Sequence, residues 1–134
     1  MARAFFDTNV LIYTVSGDAA KADCAEAAVA DGGWISVQVM NEAAHVLRRK
    51  YRREWDDIHL FLERISSILE TAPLDIETHR LGLNIAEAHK TGIYDSMIVA
   101  AALLSGCDTL YSEDMHDGLI IDGRLTIVNP FRDL

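Results

Sequence analysis

The segment Met97-Ile98-Val99-Ala100-Ala101-Ala102-Leu103-Leu104 constrains the chain most. Set on a helix, it is apolar on every side, and such a helix has to be buried. It is far shorter than the ~18 apolar residues of a membrane span, and no other run comes nearer. The chain therefore needs a core that can enclose a helix. Its 134 residues are enough: one domain of that size removes about 70% of its extended-chain surface from water.

The surrounding pattern supplies the layers. Short apolar runs at residues 2–6, 34–35, 72–74, 109–111 and 125–128 read as strands, with Pro73 at the tolerated end of the third. An irregular extended piece fits within 115–123. Between them lie helical stretches. A short turn falls at 9–15, and an Ala-rich helix at 19–30 is stopped by Asp31-Gly32-Gly33. A helix over 37–53 has Ser36 as its N-cap, with Met40, Ala43, Ala44, Leu47 and Tyr51 on its core face. A fourth, opened by residues 54–57, carries the stripe Ile58, Phe61, Leu62, Ile65 and Leu69. Helices over 75–90 and 94–105 follow, ended at Gly92 and Gly106. Strands alternating with helices predict a single-domain α/β/α sandwich over residues 1–134, with a mainly parallel central sheet of four to five short strands. Ligands of such sheets sit beyond the carboxyl ends of strands, near a switch in strand order.

Charge narrows the partners. The net charge is −9, from 12 basic and 21 acidic residues. A protein that simply coats nucleic acid would be basic, so a nucleic-acid partner needs a local basic patch or metal ions that offset the acids. The beginning of the chain has no basic stretch followed by an apolar one and a small-residue cleavage site, which points to the cytoplasm and to no membrane association. Cys24 and Cys107 have no zinc spacing and no disulfide framework, and read as reduced thiols.

Four acids stand at junctions of these elements. Asp7 follows the first strand in Phe5-Phe6-Asp7-Thr8-Asn9. Glu42 lies in the first turns of the helix after the second strand, Asp95 opens the buried helix, and Asp114 follows the fourth strand. In a parallel sheet these junctions share one edge. Each acid alone has an ordinary reading: a helix cap for Asp7, a surface acid for Glu42, a helix-dipole partner for Asp95 and loop solvation for Asp114. Together they repel. Two carboxylates ~5 Å apart at an effective dielectric near 20 cost ~3 kcal/mol. Either some are protonated or a divalent cation sits among them. Oxygen ligands favour Mg²⁺ or Mn²⁺ over zinc.

The segments Phe6-Asp7-Thr8-Asn9-Val10-Leu11, Ser36-Val37-Gln38-Val39-Met40-Asn41-Glu42, Tyr94-Asp95-Ser96-Met97-Ile98-Val99-Ala100-Ala101-Ala102 and Leu110-Tyr111-Ser112-Glu113-Asp114-Met115 resemble the four motifs of PIN-domain nucleases, in detail those of bacterial VapC-type toxins. Ile127-Val128-Asn129-Pro130-Phe131 is similar to the closing strand of that group. The resemblance spans nearly the whole chain and rests on four motifs in order. It implies a metal-dependent endoribonuclease, the toxin of a toxin–antitoxin pair, with Asp7, Glu42, Asp95 and Asp114 as a catalytic acidic quartet. Asp7, Asp95 and Asp114 are the implied ligands of Mg²⁺ or Mn²⁺. Asn9 would support the geometry of Asp7, and Ser112 would orient the fourth acid or a metal-bound water. Asp117 would act beside Asp114 or in its place. The implied partners are an RNA substrate, a cognate antitoxin and a second copy in a homodimer. Ser96 departs from the Ala more common after the third acid.

The run Arg48-Arg49-Lys50-Tyr51-Arg52-Arg53 concentrates basic residues. At 100° per residue a helix continued through it returns Arg49 and Arg53 to the face of Glu42, so both are candidate RNA-phosphate ligands. The alternative is a solvated helix end favoured by the dipole. Two other readings compete with the nuclease: a catalytically silent PIN-like module that binds protein or RNA, and a phosphatase of the haloacid dehalogenase type. The phosphatase needs a second Asp where Asn9 stands.

Overall fold

A computed structural model describes residues 3–134. Ala2, the expected first residue of the first strand, lies outside the described residues. Strands β1 (Ala4–Phe6), β2 (Trp34–Ser36), β3 (Glu70–Ala72), β4 (Thr109–Tyr111), β5 (Ile120–Ile121) and β6 (Leu125–Val128) form one sheet in the order β3-β2-β1-β4-β6-β5. Every neighbouring pair is parallel except β5 with β6. The sandwich expected from the pattern is therefore present, with six strands in place of four to five. The added strand is the irregular piece within 115–123: Ile120 and Ile121 turn back through Asp122, whose φ is 53°, and Gly123 to pair with β6.

Helices α1 (Thr8–Tyr13), α2 (Ala19–Ala30), α3 (Val37–Arg49), α4 (Trp55–Ile68), α5 (Ile76–His89) and α6 (Ile93–Leu104) connect the strands. α6 is buried from Ser96 through Leu103, as its uniform apolarity requires. It packs closely on α5 because Gly82 has no side chain: a Cβ there would stand 2.6 Å from Met97 Sδ. The main core gathers Phe5, Phe6, Leu11, Ile35, Ile98, Leu110 and Ile127 around the two central strands. A smaller cluster of Ile12, Ala43, Leu47 and Ile58 joins α1, α3 and α4.

Two boundaries differ from expectation. The third strand ends at Ala72, before Pro73, because proline has no N–H to give to a ladder. α3 stops at Arg49, not at residue 53. Lys50 and Tyr51 both donate backbone N–H to Val46 O, Arg52 takes a φ of 53°, and Arg53 N–H turns back to Leu47 O at 3.0 Å. Tyr51, expected on the core face, is 37% exposed as a result.

β1 and β4 are adjacent, with Phe5 opposite Leu110, yet the chain leaves β1 towards β2 on the other side. The strand order therefore switches between β1 and β4. The crevice beyond their carboxyl ends is where a ligand is expected.

Candidate active site

The site begins with the burial of β1. Phe5 and Phe6 are fully enclosed and hold the strand in place. Asp7 N–H extends the pairing one residue further, donating to Tyr111 O at 3.0 Å. The backbone then turns, and Asp7 becomes the N-cap of α1, with Oδ1 accepting Thr8 N–H at 2.7 Å. Its ordinary reading as a cap is correct, but it describes only half the carboxylate. Oδ2 accepts the Ser112 hydroxyl proton at 2.8 Å and the Asn9 amide at 3.3 Å.

Asp7 is only 3% exposed. Burial pushes its carboxyl up to about 6, against the bonds from Ser112 and Thr8, which lower it; repulsion from Asp95 and Glu42 adds to the rise. Asp95 sits in the first turn of α6. Its pKa is raised by partial burial first, then by Glu42 and Asp114. The helix dipole, which favours an anion there, does not cancel these effects.

Glu42, on the second turn of α3, is held at both oxygens. Oε1 accepts from the Thr8 hydroxyl at 3.2 Å and Oε2 from the Gln38 amide at 2.6 Å. Asp114 is exposed and accepts from Asn9 Nδ2 at 3.1 Å. Asn9 thus bridges Asp7 and Asp114, while its own Oδ1 accepts Glu113 N–H at 3.1 Å. Ser112 links the same two acids from the other strand. Its hydroxyl oxygen accepts the backbone N–H of Asp114 and Met115, both at 3.2 Å, while its proton goes to Asp7. The turn after β4 is therefore built on the first acid.

The structure brings the four acids to one edge and within one another's electric field. It does not draw them into a closed shell: among the described residues no three His, Cys, Asp or Glu side chains converge enough to hold an ion as they stand. On that edge the Asn9 amide bridges Asp7 and Asp114, and Thr8 and Gln38 each donate to Glu42. The donor set itself, carboxylate oxygens with amide support, suits a hard divalent cation.

Asp117 has partners of its own. Its Oδ1 caps Asn129 N–H at 2.7 Å and its Oδ2 pairs with Arg132 at 3.4 Å, bonds that lower its pKa. Arg49 stays on α3, exposed, about two turns beyond Glu42. Arg53 leaves that face and lines a separate cleft with Val15, Asp57 and Arg64.

Several supporting residues escape a reading of the chain in order. Gln38 had a local signal, since it lies four residues before Glu42 on the same helix face. Lys21 had none. It reaches across from α2 to grip Glu113 at 3.0 and 3.1 Å, with Tyr13 OH donating to the same carboxylate at 3.1 Å. Thr91 explains the departure at Ser96: the two hydroxyls bond at 2.6 Å, so the fully buried serine keeps a partner.

Asp95 stands between two hollows. One, of about 640 Å³, is lined by Gln38, Asn41, Glu42, His45, Val46 and Tyr94. The other, of about 200 Å³, lies towards Asp114, Met115 and His116.

The sequence model of the PIN domain matches residues 4–116. No curated protein matches the sequence. Among solved structures, the chain is similar to one in a toxin–antitoxin complex from Klebsiella pneumoniae, with 24% identity, 96% of this chain and 98% of that chain covered, and a TM-score of 0.70. It is similar to FitAcB from Neisseria gonorrhoeae, with 16% identity, 96% and 99% covered, and a TM-score of 0.68. It is also similar to VapC20 of Mycobacterium tuberculosis, described as a sarcin-ricin loop cleaving toxin, with 16% identity, 83% and 91% covered, and a TM-score of 0.67.

Proposed function

The chain belongs to the PIN-domain family, and on that premise we propose that it is a metal-dependent endoribonuclease, the toxin of a toxin–antitoxin pair. One observation carries the reading: Asp7, Glu42, Asp95 and Asp114 come from four separated segments to the strand-order switch, where charge repulsion from the others adds to the raised pKa of Asp7 and of Asp95. Mutually repelling carboxylates held in place by dedicated bonds are costly to a fold, and they suit a cation that neutralises them.

Asp7, Asp95 and Asp114 would hold Mg²⁺ or Mn²⁺. When bound, such an ion neutralises the phosphate and lowers the pKa of water. The chain's own part begins with Asp7, which Ser112, Thr8 and Asn9 hold in one orientation. Asn9 and Ser112 set Asp114 relative to it. Glu42, outside the ligand set and steadied by Gln38 and Thr8, accepts the proton of the attacking water at one of its Oε atoms. The amide at Asn9 also weighs against the phosphatase reading, because it bonds both flanking acids where that chemistry needs a carboxylate.

Neighbours that are themselves toxin–antitoxin components support an antitoxin as partner and, through the one described as cleaving the sarcin-ricin loop, RNA as substrate. A basic antitoxin segment would complement a chain of net charge −9. The reading includes a cytoplasmic location, a homodimer, and residues 1–134 as a single PIN-like domain.

The test is incubation with total cellular RNA in Mg²⁺, Mn²⁺ or chelator, comparing the wild type with Asp7→Asn. Discrete cleavage only with the metal and the wild type is expected. Identical RNA profiles in every lane, with folded protein, would favour a silent binding module.

A further inference from the structure

The large hollow at Glu42 and Asp95 does not end there. His45 lines both it and a second recess of about 400 Å³, shared with Ala44, Arg48, Arg49 and Trp55. Glu42, His45 and Arg49 fall on one face of α3, with Arg49 about 10 Å along the axis from Glu42. A continuous surface track therefore runs from the acidic edge to the basic end of this helix.

Each end of the track presents an aromatic ring to solvent. Tyr94, beside Asp95, is 70% exposed, and Trp55 is 55% exposed. The Arg48 guanidinium lies 4.8 Å from the centre of the Trp55 ring, and its Nη1 donates to Arg53 O at 3.1 Å. Trp55 is thus oriented by a cation that is itself tied to the backbone, without being buried. Arg48 and Arg49, two of the five basic residues of the run, line this recess on a chain whose total charge is strongly negative. Exposed rings interleaved with guanidiniums along a groove suit a strand that offers both phosphates and free base faces. A duplex hides its base faces in the stack, so it fits this track poorly.

Resting on the nuclease reading, we propose that single-stranded RNA leaves the acidic edge along α3, that its phosphate is met by Arg49, and that a base stacks on Trp55. Arg48 is the positioning residue for that ring. Arg53, in its separate cleft, takes no part.

The probe is a single-stranded uridine dodecamer, with a duplex of equal length as comparison. The protein carries Asp7→Asn to prevent cutting and Trp34→Phe so that Trp55 is its sole tryptophan. The dodecamer is expected to quench Trp55 emission saturably, and the duplex to do so weakly. Trp55→Ala should weaken dodecamer binding, followed by a label on the RNA, about fivefold or more. Arg49→Ala, at an exposed position, should lower the slope of log affinity against log salt by about 0.7. Unchanged affinity in both variants, at unchanged melting temperature, overturns the track. So does quenching that follows protein concentration instead of RNA, which would assign this face to a second copy. The nuclease reading fails separately. If the wild type cuts no RNA yet the dodecamer quenches Trp55, only the nuclease falls. If the wild type cuts RNA and Trp55→Ala cuts it with the same KM, only the track falls.

Discussion

The acidic edge and the basic end of α3 are both dense in charge, yet the fold treats them in opposite ways. At the edge, Asp7 is buried, every oxygen of Asp7 and Glu42 has a partner, and burial pushes the Asp7 carboxyl up to about 6. At the basic end, Arg49, Lys50, Arg52 and Arg53 are exposed, and the helix that was expected to align them stops before Arg53. Buried charge in a low-dielectric setting has to be placed by hydrogen bonds. Exposed charge is screened by water and needs no fixed geometry. Position is therefore bound to the fold at the acids and loosely held at the arginines.

The largest effect expected from this contrast is at Asp7. Asp7→Asn should lower RNA cleavage by about a hundredfold or more, read as the rate of loss of a labelled RNA. Without divalent cation the same substitution should raise stability at pH 8. The folded pKa of about 6 lies above the ordinary 3.8. The folded state therefore holds its proton more tightly than the unfolded one, and the stability this provides is present at low pH and lost as pH rises through 4 to 6. The cost above pH 6 is about 3 kcal/mol in order of magnitude. Urea denaturation from pH 4 to 8 should fall in the wild type and flatten in Asp7→Asn. Parallel curves would mean that Asp7 is ionised at no cost.

Ser112→Ala should come next. It removes the hydroxyl that donates to Asp7 and receives two backbone N–H groups, a loss of about 1–3 kcal/mol in denaturation. A smaller step is Lys21→Met, which removes the ammonium that lies over the Tyr13 ring and its partly exposed ion pair with Glu113. It should lower the urea midpoint only slightly, and the loss should shrink in high salt. Arg53→Ala should be smallest, within about 0.5 kcal/mol in stability and without effect on the RNA salt slope, whereas Arg49→Ala changes that slope. Equal slopes for the two would restore the helix-stripe idea.

Much of the fold was legible because its signals are local. The burial of α6 follows from an uninterrupted apolar run, and Ser36, Asp18 and Asp75 cap their helices through side chains a few residues away. The Pro73 limit on β3 and the turn at Arg52 were less legible: one displaced a strand by a residue or two, and the other broke a helix whose composition would have continued it. In the site, the four acids could be named from their junctions. Of their partners, Asn9 and Ser112 were implied by the family resemblance and Gln38 had a local signal, but Thr8 to Glu42 and Lys21 to Glu113 join residues that share no periodicity.

By itself the sequence determined the layered class, the buried helix and which carboxylates lie at strand exits, since strand period, helix period and capping act over a few residues. Only the tertiary structure decided how those carboxylates stand: bridged by Asn9, roofed by Ser112, and not drawn into a closed shell. It also decided that Arg53 parts from Arg49 while Trp55 joins it. The physical reason is the same in each case. Hydrogen bonds and electrostatic repulsion depend on distance in space, and the distance between residues far apart in the chain is set only when the sheet assembles.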